Sequence, residues 1–180
     1  MLILAAALLP AIALAQAPAD KKAATDKLLD ALKAAPTEAI ARPLEDQIRQ
    51  AWIEQTTPAV RLLISRGTRE LKAGSFEEAV DDFSDAITLD PTMAEAWHQR
   101  AIARYQSGDT MGAISDIEET LKREPRDFAA FRTLSDIAAQ REEWKNAYAA
   151  WEKLLVLDPK TPGGEARLKE LKRKAFGEDA

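Results

Sequence analysis

Three prolines set the period of this chain. Pro91, Pro125 and Pro159 lie 34 residues apart, and each follows an acidic residue: Asp90, Glu124 and Asp158. Proline lacks an amide donor and pushes the residue before it out of helical geometry, so each one marks a place where a helix has stopped. A fixed period of this length leaves room for two short helices and their turns. Self-similarity of that kind is the signature of a stacked array.

The same offset of 34 aligns further columns. Leu63, Trp97 and Phe131 fall near the start of a first helix, followed by the small residues Gly67, Ala101 and Ser135. Ala79, Ala113 and Ala147 coincide in a second helix, with Phe83, Ile117 and Trp151 one turn later. Small residues let two helix axes approach closely, and the bulky columns fill the space beside them. Gly74, Gly108 and Glu142 occupy the turns between the two helices.

Start signals support the same frame. Thr57-Pro58 places a cap before a proline at the first helical position, and Ser75 with Glu78 and Thr92 with Glu95 read as capping boxes. The pattern predicts helices near 58-73, 76-89, 93-107, 110-123, 127-141 and 144-157. Sparse β-branched and aromatic residues, with abundant Ala, Leu, Glu and Lys, make the expected class all-α.

With these columns the chain resembles the tetratricopeptide repeat family from Pro58 to Pro159. The resemblance implies an α-solenoid of three helix-turn-helix repeats over 58-161, a scaffold that binds proteins. Three departures stand out: Glu142 at the turn glycine, Arg123 where other units have Leu89 and Leu157, and Thr120 at a small or apolar position. They predict looser packing of the second unit's outer helix.

The flanks read as helical too. Ala23 to Leu32 and Glu38 to Gln55 form the candidate N-terminal segment, residues 18-57, with Leu44, Ile48 and Trp52 recurring every fourth position and Pro43 either kinking or restarting the helix. The expectation is a helical hairpin capping the first repeat, the alternative a tether up to Ala35. Glu165 to Phe176, within the C-terminal segment 162-180, suits a capping helix and tail. Residues 1-17 read as a signal peptide, cut after Ala15 or Ala17, although no Lys or Arg precedes the apolar run. The other reading is an uncleaved hydrophobic arm. As a helix, 15 residues would reach about 22 Å, short of a hydrocarbon layer of roughly 30 Å, so no stable membrane span is expected.

Few chemistries survive inspection. The formal charge of -5 argues against nucleic acid and anionic lipid as partners, and the absence of cysteine removes disulfides and thiolate sites. The sole histidine, His98, has no nucleophile beside it in sequence. Acidic pairs such as Glu77-Glu78, Asp81-Asp82 and Glu118-Glu119 read as a wet outer face, Pro162-Gly163-Gly164 as a turn, and Lys172-Arg173-Lys174 as a solvated helix end. Trp52, Trp97, Trp144 and Trp151 read as packing. No catalytic residues, metal ligands or cofactors are expected.

In the family that the chain resembles, the first helices of successive repeats line a concave groove that holds peptides or partner helices. Carried onto this sequence, the groove columns contain Arg61, Glu95 and Ala129; Ile64, His98 and Arg132; Thr68, Ile102 and Asp136; and Lys72, Gln106 and Gln140, with Leu71 and Tyr105 at the edge. The expected partner-binding set is Arg61, Ile64, Thr68, Lys72, Glu95, His98, Ile102, Tyr105, Arg132 and Asp136, with His98 a solvated bystander. It suits a peptide with an apolar anchor and a charge. The carboxylate clamp of chaperone-binding members is not expected, because its columns hold Ile64, Thr68, Gln99, Ala129 and Thr133. The sequence therefore points to an exported bacterial adaptor in the periplasm, or secreted, for a protein or peptide ligand. The alternative is a self-associating envelope component, and so a homo-oligomer.

Overall fold

The structure is a computed structural model that describes residues 18–177; the apolar segment read as a signal peptide, 1–17, lies outside the described residues. The described residues form nine α-helices and no strand. Three antiparallel pairs make the repeats: α3 (Pro58–Ala73) with α4 (Phe76–Leu89), α5 (Ala94–Gln106) with α6 (Thr110–Arg123), and α7 (Phe128–Gln140) with α8 (Trp144–Leu157). A last helix, α9 (Gly164–Phe176), covers α8, where Leu171 is fully buried and the Trp151 indole donates to the Gly164 carbonyl at 2.9 Å. No helix among the described residues is long and apolar enough to cross a membrane.

The columns pack as their sizes require. Ala79, Ala113 and Ala147 are fully buried, as are Phe83 and Ile117 beside them. A Cβ on Gly67 would stand 2.8 Å from Phe83 Cε1, so only a hydrogen fits between α3 and α4 there. At the matching site of the third repeat, the buried Ser135 hydroxyl donates across the pair to the Ala147 carbonyl at 2.8 Å. Between the helices of each pair the chain turns through the left-handed region, at Gly74 (φ 84), Gly108 (φ 93) and Glu142 (φ 59). Glycine adopts this geometry without strain, whereas a side chain does so at a cost.

The acidic-proline column serves a local purpose that spacing alone does not reveal. Asp90 accepts hydrogen bonds from the amide and hydroxyl of Thr92, and Glu124 accepts from the Arg126 amide, each carboxylate reaching across its proline to the second residue beyond. Thr92 is thereby bound to Asp90 rather than acting as a cap, and Met93 sits at the N-cap of α5 instead. Ser75 occupies its cap position without a side-chain bond. Thr57 does cap α3, accepting from the Val60 amide, and Asp109 and Asp127 cap α6 and α7 in the same way.

The second repeat is not loose. Thr120 is fully buried and donates to the Asp116 carbonyl. Arg123 lies 4.4 Å from the centre of the Trp97 ring and bonds the Pro91 carbonyl and Glu119, so the long side chain covers the apolar surface that a leucine would otherwise fill. Nor is every second-helix carboxylate wet. Asp82 and Asp116 are buried under Arg66 and Arg100, and Arg104 adds a further bond to Asp116 at 2.9 Å.

The N-terminal segment forms the expected hairpin but seats it elsewhere. It is no tether, since α1 (Pro18–Lys33) and α2 (Glu38–Glu54) form an ordered hairpin with Leu29, Leu32 and Ile48 buried, and Pro43 is accommodated inside one uninterrupted helix. Nor does the pair simply cap the first repeat. Its apolar residues share a core cluster with Phe128, Ala138, Trp151, Leu154 and Leu171, which belong to the third repeat and α9. The face of an amphipathic hairpin goes where the largest apolar surface awaits it, and here that surface lies inside the array.

Candidate functional site

The side of the array built from α3, α5 and α7 is where ligands are expected, and α2 already lies on it. Trp52 packs on Phe128 at the start of α7, with ring centres 6.1 Å apart, and Ile53 packs against the cluster that holds Val60 and Ile64. Burying Ile48 completely adds about 1.5–3 kcal/mol to this docking. Polar clips hold the hairpin at its edges. Arg126, in the turn before α7, bonds Asp26 at 2.5 Å and Asp30 at 2.8 Å, and within the hairpin Lys21 donates to the Glu54 carbonyl.

At the third repeat the contact is made by acids. Glu45 on α2 faces Arg132 at 3.8 Å, while Arg132 lies 3.9 Å from Asp158 and donates to Thr161 at 2.6 Å. Burial, and a proton shared with Asp158, push the Glu45 carboxyl up to about 7 against the opposing pull of Arg132. Both Asp158 oxygens and one Glu45 oxygen are buried without a hydrogen-bond partner, and a proton held between the two carboxyls pairs one oxygen of each.

This docking divides the expected binding set. Ile64, Glu95 and His98 are buried, and the half-buried Arg61 donates to the Thr56 carbonyl, tying the α2–α3 turn. Arg132 holds α2, as described. Thr68, Lys72, Ile102, Tyr105 and Asp136, one to two turns further along the same helices, remain exposed or half-buried. Tyr105 and Asp136 are neighbours: burial, with the Asp136 charge adding to it, raises the Tyr105 phenol. The accessible half thus presents a cation, an anion, a phenol and Ile102 together.

His98 is therefore no solvated bystander. Its imidazole is 4% exposed, and its Nε2 lies 3.0 Å from the Thr133 hydroxyl, whose own hydrogen goes to the Ala129 carbonyl. Glu95 on the preceding turn and Asp127 at the start of α7 complete a buried group whose ligand atoms all lie within 4.8 Å of one another. Burial, reinforced by the Asp127 charge, raises Glu95 to about 8, and burial lowers His98 although Asp127 pulls the other way. Neither Asp127 nor Glu45 is singled out by the sequence pattern, because each gains its partner from another helix.

The profile of the tetratricopeptide repeat family matches residues 98–165. A TPR repeat-containing protein of Rhizobium etli is 27% identical over 161 residues, 89% of this chain and 79% of that protein. The Hsp70-Hsp90 organizing protein of Triticum aestivum is 32% identical over 62% of this chain, which spans only 19% of that relative's length. Among solved structures, the first TPR of Spaghetti (RPAP3) bound to the HSP90 peptide SRMEEVD aligns with a TM-score of 0.61 at 19% identity, over 66% of this chain and 94% of that one. At that identity the likeness is one of fold.

Proposed function

We propose that this chain, which belongs to the tetratricopeptide repeat family, is an adaptor that holds a peptide or protein segment on the exposed half of its groove. The family's architecture supplies binding surface rather than chemistry. The observation that carries the reading is the division of the groove. With α2 seated on the near half, the remaining surface is a short trough of Thr68, Lys72, Ile102, Tyr105 and Asp136. A segment bearing one apolar anchor and charges of both signs matches it. The proposed working compartment is the periplasm or the cell exterior, a reading that rests on the apolar residues 1–17.

Capture from envelope fractions followed by mass spectrometry tests the site when the chain is compared with its Lys72→Glu/Asp136→Lys double variant. Loss of the captured partner in the variant, with unchanged helicity, is the expected result. Equal capture by both would remove this half of the groove from the proposal. Fractionation of cells expressing the full chain tests the compartment, and cytoplasmic retention would overturn that part of the reading.

A further inference from the structure

Glu95, His98 and Asp127 are too well buried and too close together to be ordinary polar residues. Helix α5 puts Glu95 and His98 one turn apart on the same face, and the N-cap position of α7 brings Asp127 to meet them. Asp127 is fully buried and uses its Oδ1 to accept from the Ala130 amide at 2.9 Å, but its Oδ2 has no hydrogen-bond partner. That oxygen points at His98 Nδ1, 3.8 Å away.

The tautomer of His98 follows from its other neighbour. The Thr133 hydroxyl spends its hydrogen on the Ala129 carbonyl at 3.1 Å, so it accepts from His98 Nε2–H at 3.0 Å. Nδ1 therefore carries a lone pair, and it faces the lone pairs of Asp127 Oδ2. In this tautomer two buried acceptors are aimed at each other, an arrangement that a cation between them stabilises. A second-shell donor bond on the far ring nitrogen is also what orients a metal-ligating imidazole.

We propose that Glu95, His98 Nδ1 and Asp127 Oδ2 bind one divalent transition-metal ion, Zn²⁺ fitting best, that clamps α5 to the start of α7 beneath α2. One imidazole nitrogen and two carboxylate oxygens form a borderline donor set that suits Zn²⁺, which takes such ligands at about 2.0–2.2 Å. His98 Nδ1 and Asp127 Oδ2 are 3.8 Å apart and all three ligand atoms lie within 4.8 Å of one another, so side-chain rotations that draw them together would complete the coordination. The two carboxylates offset the ion's charge, against the opposing field of Arg49 and Arg132 nearby. A cavity of about 260 Å³, edged by Asp26, Asp90 and Glu124 and by the cations Lys22 and Arg123, reaches Glu95.

The histidine is unique in the sequence, so its imidazole reports on the site without ambiguity. The test uses the full chain without a histidine tag, stripped with chelator and titrated with Zn²⁺, Co²⁺, Ca²⁺ and Mg²⁺. Zn²⁺ is expected to bind at one equivalent and raise the melting temperature. It should move the His98 Nδ1 resonance in nitrogen-resolved NMR while Nε2 keeps its proton. His98→Gln retains a donor for Thr133, and Asp127→Asn retains the Oδ1 cap; each should weaken Zn²⁺ by about 100-fold or more with unchanged helicity. The assignment is overturned by no saturable Zn²⁺ binding, by binding that leaves the His98 signals in place, or by a response to Ca²⁺ or Mg²⁺ alone. Should both variants fail to fold, the NMR titration of the unaltered chain decides by itself.

Discussion

Replacing Glu45 with glutamine isolates the latch between α2 and the third repeat. The acid is 9% exposed, and its carboxyl is held near 7 where an ordinary glutamate titrates near 4.5. Below the lower of these values the folded and unfolded chains both carry the proton, and docking costs nothing. Between the two the unfolded chain gives the proton up while the folded one keeps it, so stability falls by about 1.4 kcal/mol per pH unit. Above pH 7 the accumulated loss is about 3 kcal/mol. Glutamine is neutral throughout and keeps a donor for Asp158, so the variant escapes the loss. Urea denaturation of both proteins at about pH 4 and about pH 8 measures the effect, since titrating groups that do not interact with Glu45 cancel in the difference. The variant should gain about 3 kcal/mol on the wild type between the two conditions, with slower hydrogen exchange across α1 and α2 at the higher pH. A difference that is flat with pH, or that runs in the opposite sense, would refute the shared-proton argument.

Gly67→Ala drives a methyl group to 2.8 Å from Phe83 Cε1, and denaturation should show a loss of about 1–3 kcal/mol. Glu142→Gly relieves a side chain held at φ 59 in the turn of the third repeat, and should raise stability by about 0.5–1 kcal/mol in the same assay. Asp116→Ala leaves Arg100, only 12% exposed, without its bidentate partner, and should cost about 3 kcal/mol, compared with under 1 kcal/mol for Glu119→Ala nearer the surface, where typical pairs contribute little.

Helix boundaries were legible because local chemistry sets them. The expected spans 58-73, 76-89, 110-123 and 144-157 coincide with α3, α4, α6 and α8, and those for α5 and α7 differ by one residue at each end. Where the reading slipped, two local options competed: Thr92 had both Asp90 and the α5 amides within reach, and it took Asp90. The seat of the α1–α2 hairpin was not legible. Leu44, Ile48 and Trp52 mark an apolar face, but periodicity shows only that a face is apolar and never names the surface it meets. The candidate site inherits that limit. Column arithmetic assigns His98, Glu95 and Arg132 to the groove side, but it does not anticipate a helix from outside the repeats, against which Arg132 faces Glu45.

The hairpin also changes what kind of array this is. A linear solenoid has nearest-neighbour contacts only, so its stability is a sum along one dimension, and its ends fray independently. Here Arg126 joins Asp26 and Asp30 across separations of 100 and 96 residues, and the cluster that buries Ile48 also holds Leu171. The hairpin that precedes the repeats is completed by the helix that follows them. That closure adds sequence-distant contacts, which slow folding, and in exchange it removes the option of partial unfolding from one end. Contacts that tie the hairpin to the far repeat favour melting of the three repeats as a single cooperative unit.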